Sequence, residues 1–167
     1  MDVIIEKARP EDAGDLIAFL NTIGAETDNL TYGGEGLPIS QEKEAEIIRE
    51  KNESPRNALF VAKKGGKIIG NASIEAFSRR MAHRAELGIA VVRAEWGQGT
   101  GGRLLEKVIE HAKAQKIEII ELEVRGDNER AIRLYQKYGF VKIGAYPKFF
   151  KMEDNTYADF DLMNLYL

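Results

Sequence analysis

The sequence predicts a mixed α/β (α+β) domain: a mostly antiparallel central sheet with one parallel crossover pair, flanked by helices. Three observations carry this reading. Residues 58–92 alternate apolar runs and turns like a strand meander. Its hinge is Lys64-Gly65-Gly66-Lys67, where two glycines supply the positive φ of a tight hairpin. Residues 85–124 then read strand, amphipathic helix, strand, a unit that closes a parallel pair by a right-handed crossover. Finally, no repeat, low-complexity tract or Pro/Ser-rich linker interrupts the 167 residues, so a single domain spans 1–167.

The elements follow in order. Val3-Ile4-Ile5 reads as a first strand. Pro10 opens a helix at its tolerated N-terminal position, with Glu11 and Asp12 suiting the positive helix end and Leu16, Ile17 and Leu20 at helical spacing. Gly24 to Ser40, rich in Gly, Asp, Asn and Thr, reads as a long loop. Ser40 caps a second, charged helix through Arg49. Strands are expected from Ala58 to Ala62, from Ile68 to Phe77 and from Ala85 to Val92. Gly101, Leu104, Leu105, Val108, Ile109 and Ala112 share one face of a helix. Ile117 to Val124 is a β-branched strand. A last helix carries Ala131, Ile132, Leu134, Tyr135 and Tyr138 and stops at Gly139. Phe140 to Ile143 and Tyr157 to Leu165 complete the strands.

Composition removes several functions. With no cysteine and only His83 and His111 as imidazoles, thiolate metal sites, multi-histidine sites and cysteine nucleophiles are excluded, so no metal is expected. A net charge of −3 argues against nucleic acid and anionic membranes as partners. No apolar run approaches the roughly 20 residues of a bilayer span, and the first residues lack a signal-peptide stretch. The expectation is a cytoplasmic protein.

The segment Trp96-Gly97-Gln98-Gly99-Thr100-Gly101-Gly102 lies between a strand and an amphipathic helix. Such a loop offers backbone N–H groups at the positive end of a helix, a fitting place for phosphate or pyrophosphate. A merely flexible turn would place this many glycines there for no gain. Gly97-x-Gly99-x-x-Gly102 matches a dinucleotide fingerprint literally, with Glu121 near the ribose-binding distance. Its context is wrong, because Arg93-Ala94-Glu95-Trp96 intervene and a meander precedes it. A Walker loop fails, since Arg103-Leu104 follow Gly102.

Acyl-CoA binding is the remaining reading. Val91-x-x-x-x-Trp96-Gly97-Gln98-Gly99-Thr100-Gly101 resembles the cofactor loop of the GNAT superfamily of N-acetyltransferases, Gln/Arg-x-x-Gly-x-Gly/Ala, with Trp96 standing at the Gln/Arg position. Asn128-x-x-Ala131-x-x-Leu134-Tyr135-x-x-x-Gly139-Phe140 resembles the superfamily's other CoA-side segment. Residues 3–20 and the ending Asp159 to Met163 also look like its opening and closing parts.

The resemblance implies direct transfer of acetyl from the co-substrate acetyl-CoA to a primary amine in a ternary complex. No thioester intermediate on the enzyme is needed, in keeping with the missing cysteine. By the same resemblance Ile89, Ala90 and Val91 pair by backbone with the pantetheine arm. Trp96, Gly97, Gln98, Gly99, Thr100 and Gly101 hold the pyrophosphate through N–H groups. Asn128 is a cofactor contact, and Tyr135 is the general acid that protonates the departing thiolate; the alternative for Tyr135 is a packed aromatic. Glu86 is the candidate base, against an outward-facing Glu86 salt-bridged to Arg84 or another arginine. Glu123 is read as surface-exposed and Lys63, Lys64 and Lys67 as ordinary edge charges. An amino acid, a polyamine, an aminoglycoside or a protein N-terminus all remain open as acceptor. A catalytically silent CoA-binding regulatory module of the same fold is the alternative function. Dimerisation is common in the superfamily, so a homodimer is a possible assembly.

Overall fold

The computed structural model describes residues 1–167. Seven strands form one sheet in the order β1-β2-β3-β4-β5-β7-β6. They are β1 (Val3–Lys7), β2 (Ala58–Lys64), β3 (Lys67–Ala76), β4 (Arg84–Val91), β5 (Ile119–Arg125), β6 (Val141–Lys151) and β7 (Tyr157–Tyr166). Only β4 and β5 are parallel; every other neighbouring pair is antiparallel. The predicted class and crossover are therefore present.

Local chemistry explains most boundaries. Gly65 and Gly66 both take positive φ, 57° and 80°, and close β2–β3 with Lys64 opposite Lys67. This is the two-residue turn whose twist matches that of the strands. The Ser40 side chain accepts from Lys43 N–H at 3.1 Å and caps α2 (Gln41–Glu53), four residues longer than predicted. Gly139 ends α4 (Glu129–Lys137) with φ of 96°.

Three further boundaries differ from the sequence reading. Pro10 opens one 3-10 turn, Pro10–Asp12, before α1 (Ala13–Glu26) begins, so the early loop is shorter, from Thr27 to Ser40. The strand from Ile117 starts at Ile119. The strand predicted at 140–143 runs on to Lys151. It is the outer strand of the sheet, where Pro147 is tolerated because half its backbone has no partner.

Helices cover the sheet unequally. On one face α3 (Thr100–Ala114) buries Leu104, Leu105, Val108 and Ala112 against Phe60, Ala72, Ile74, Ala85 and Leu87, joined by Tyr135 and Phe140. On the other, α1 and α2 bury Leu16, Phe19, Ile23 and Ile48 against Leu59, Val61 and Ile68. β2 lies between both cores, which is why Ala58 to Ala62 is buried throughout. Lys63 is no edge charge: it is held by Glu6 at 2.8 Å and Asp12 at 2.7 Å, tying β2 to β1 and the opening turn. Lys64 likewise pairs with Glu95.

Candidate active site

The site begins where the parallel ladder stops. β4 and β5 stay in register only for Arg84–Ile119, Ala85–Ile120 and Glu86–Glu121, then separate. The other edge of β4 remains paired to β3 as far as Val91. Bonds Phe77 N to Arg84 O and Val92 N to Ile69 O fix the phase of that ladder. In an antiparallel pair alternate residues turn their backbone to the same neighbour. Gly88 and Ala90 therefore bond to β3, whereas Ile89 and Val91 direct theirs into the gap. This corrects one expectation: Ala90 lines the cleft, but its backbone belongs to β3. The Val91 carbonyl accepts from Trp96 Nε1 at 2.8 Å, which leaves the Val91 N–H and both Ile89 groups unmatched.

A cleft of about 290 Å³ extends from this gap to the start of α3. Its walls include Ile89, Ala90, Val91, Trp96, Gly97, Gly99, Thr100, Gly101, Asn128 and Tyr135. Ten of the eleven residues expected to bind the cofactor thus meet there. Gln98 does not; its amide folds back onto the Ala94 carbonyl at 3.1 Å. Gly97 and Gly99 adopt φ of 74° and 85°, the left-handed region where a side chain is strained. That kink aims the unpaired first N–H groups of α3 at the cleft. Gly101 does not share the positive φ; a Cβ there would instead sit 3.3 Å from Leu134.

α4 forms the opposite wall. The Asn128 oxygen accepts from Ala131 N–H at 3.3 Å and caps the helix, so its amide NH₂ is left for a ligand. Tyr135, two turns on, is 8% exposed and packs against Phe140 at 5.7 Å between ring centres. Burial pushes its phenol well above the ordinary value, opposed by the Arg130 charge. Tyr135 is thus both a packed aromatic and a cleft residue.

Glu86 lies on the face opposite Ala85 and Leu87, since no bulge interrupts β3–β4. Glu75 is its register partner on β3, Glu121 its partner on β5, and Glu123 lies two residues further on the same face. Glu75 is bonded by Lys51 and Glu121 by Arg84, so Arg84 does not hold Glu86, although the Glu86 side chain is exposed on that face as the alternative expected. Burial, then the charges of Glu123, Glu121 and Glu75, raise the Glu86 carboxyl above its usual value. The expectation of an exposed Glu123 holds, yet it faces Glu86 across the split. A wider hollow continues this side between Leu30–Glu35 and Phe149–Thr156.

Sequence reasoning missed Arg130, Leu134, Glu95 and Ile23 as cleft residues. Leu134 is itself part of the quoted α4 motif and Arg130 lies one turn before it, and that spacing was the available signal. The cleft's residues fit an acyl-CoA: backbone donors at a helix start, a free strand edge and a nearby phenol. No helix is long and apolar enough to cross a membrane.

Comparison with known proteins agrees. The family model described as "Acetyltransferase (GNAT) family" matches residues 26–140. An acetyltransferase of GNAT family from Streptococcus pneumoniae superposes with TM-score 0.95 at 33% identity, over 99% of this chain and 100% of that one. N-alpha-acetyltransferase RimI of Mycobacterium tuberculosis is 33% identical over 100 residues, 59% of this chain and 61% of the relative. L-amino acid N-acetyltransferase AaaT of Escherichia coli is 33% identical over 96 residues, 56% of this chain and 59% of that protein. The chain thus matches about three fifths of the length of these two relatives. A split parallel pair, a glycine loop opening α3 and a matched family segment that contains both lead to one assignment: the chain belongs to the acetyltransferase (GNAT) family.

Proposed function

We propose that the protein transfers acetyl from acetyl-CoA to a cationic primary amine by direct attack in a ternary complex. The observation that carries it is the split between β4 and β5, with backbone groups of Ile89 and Val91 open to the cleft and Glu86 on the other face of the same strand, outside the cleft lining. Ile89, Val91 and the N–H groups from Gly97 to Gly101 would hold the cofactor, with Asn128 beside them. Bound acetyl-CoA supplies an activated acetyl group as a thioester.

The chain's own residues move the protons. An ammonium must lose its proton before attack, since a lysine-like amine titrates near ~10.4. Glu86 accepts it, directly or through water. A raised carboxyl is the better base once ionised, and it ionises as pH climbs through that raised value. Glu123, unpaired beside Glu86, supports a positively charged acceptor, whereas Glu75 and Glu121 are already matched by Lys51 and Arg84. Tyr135, kept neutral by burial, donates its proton to the sulfur as negative charge develops there.

Two relatives name acceptor chemistries to try, a protein α-amine and an L-amino acid. The test is thiol release from acetyl-CoA with a panel of N-terminal peptides, amino acids, polyamines and aminoglycosides. Amine-dependent release supports the reading. Tight acetyl-CoA binding without release from any amine would instead favour the regulatory module.

A further inference from the structure

At the loop end of the cleft two guanidinium groups, Arg93 and Arg130, have no carboxylate partner, and only Arg130 lines the cleft itself. Glu95 lines it but is neutralised by Lys64 at 2.9 and 3.0 Å. Glu26 accepts from the Arg93 backbone N–H at 2.8 Å, and the Arg93 guanidinium bonds the Glu26 carbonyl. Arg125, in the adjoining hollow, pairs with Asp127 at 2.9 Å. Arg130 lines both the cleft and the hollow and is matched by no carboxylate, whereas its helical neighbour Arg133 faces Glu129.

Its position is nevertheless fixed. The guanidinium lies 3.6 Å from the centre of the Trp96 ring, a stacking geometry that suits a planar cation. The ring in turn is anchored by its own N–H on the Val91 carbonyl. Trp96 stands where the related loops carry Gln or Arg, and its single donor is already used. The glycine loop therefore has no polar side chain of its own at that position. What it has is a flat platform; Arg93 lies 5.5 Å from its centre, and the nearer cation, Arg130, comes from the first turn of α4.

We propose that Arg130, carried on the Trp96 ring, is the phosphate-binding side chain of this cleft and makes it select phosphate-bearing acyl thioesters over phosphate-free ones. The inference rests on the acetyl-CoA reading and adds a residue to it. Two phosphate sources share this chemistry, the diphosphate and the ribose 3′-phosphate of the cofactor. A planar guanidinium can take two oxygens of either in parallel bonds.

The test is calorimetric titration of the full chain with acetyl-CoA, acetyl-3′-dephospho-CoA and S-acetylpantetheine. Arg130→Gln is expected to weaken acetyl-CoA about tenfold, flatten its salt dependence and leave S-acetylpantetheine unchanged. Equal loss for the dephospho compound assigns the diphosphate; loss confined to acetyl-CoA assigns the 3′-phosphate. Trp96→Leu removes the platform and is expected to reproduce part of the loss for acetyl-CoA. Unchanged acetyl-CoA affinity in Arg130→Gln overturns the proposal, as does an equal loss for S-acetylpantetheine. Failure of the cofactor reading shows separately, as unaltered wild-type protein that takes up no acetyl-CoA.

Discussion

The two edges of β4 are built from the same eight residues and do opposite work. Toward β3 the strand is paired from Ala85 to Val91; toward β5 the pairing ends at Glu86. The paired edge holds the sheet together, and the open one leaves backbone groups for a ligand. The faces differ as well. On the α3 side the chain meets its ligand with main-chain donors, glycine and a buried phenol. On the other side it presents carboxylates. On this reading cofactor binding rests largely on the main chain, with the Arg130 side chain on Trp96 as the exception, and proton transfer rests on side chains.

Substitutions can break that contrast, beginning with the backbone. Gly99→Val should be the most damaging, because a β-branched residue is strained by about 1–3 kcal/mol at φ of 85°. Acetyl-CoA affinity should fall on the order of a hundredfold in titration as the kink relaxes, with a lowered Tm alongside. An unchanged affinity would show that the kink is not what binds.

Tyr135→Phe comes next and tests the phenol alone. kcat should fall roughly a hundredfold while acetyl-CoA affinity is kept, since ring and packing remain. Equal kcat in the two proteins would return Tyr135 to a packing role.

Glu86→Gln should lose about tenfold in kcat at neutral pH and recover in alkaline buffer, where free amine is abundant. In the wild type, rate should rise with pH through a value above the usual carboxylate range, because the ionised form is the base. Glu123→Gln removes one of the like charges that raise Glu86, so its acid limb should shift to lower pH with kcat nearly retained. A pH profile that moves the other way would dissociate the two carboxylates.

The smallest effect belongs to Gln98→Ala. Its amide is turned back on Ala94, and affinity should change less than about twofold, within the range of ordinary surface substitutions. A large loss would give the loop a side-chain contact after all.

What the sequence made legible follows from how far apart the interacting parts are. Ser40, the Gly65-Gly66 turn and Gly139 act on residues within one turn, so their spacing was sufficient. The glycine loop was legible for the same reason, and the crossover followed from element order. Juxtapositions across the sheet were not. Lys63 meets Asp12 through a registration of β1 with β2, and Glu123 meets Glu86 because the split falls just beyond Glu121. The stack of Arg130 on Trp96 joins residues 34 positions apart by number, which no local period announces. The extension of β6 past Gly144 and Pro147 was not legible, because an outer strand tolerates residues that would interrupt an inner one.

The alternating phase of β4 also gives the protein a built-in isotope label. Amides of Gly88 and Ala90 are locked into the β3 ladder, whereas those of Ile89 and Val91 open onto the gap. Deuterium should therefore enter residues 89 and 91 within the fast phase and residues 88 and 90 only as the sheet itself opens. An occupant of the gap would slow the first pair and leave the second untouched. A one-residue alternation of exchange rates along a single strand would thus report occupancy without a dye, a coupled enzyme or any knowledge of the acceptor.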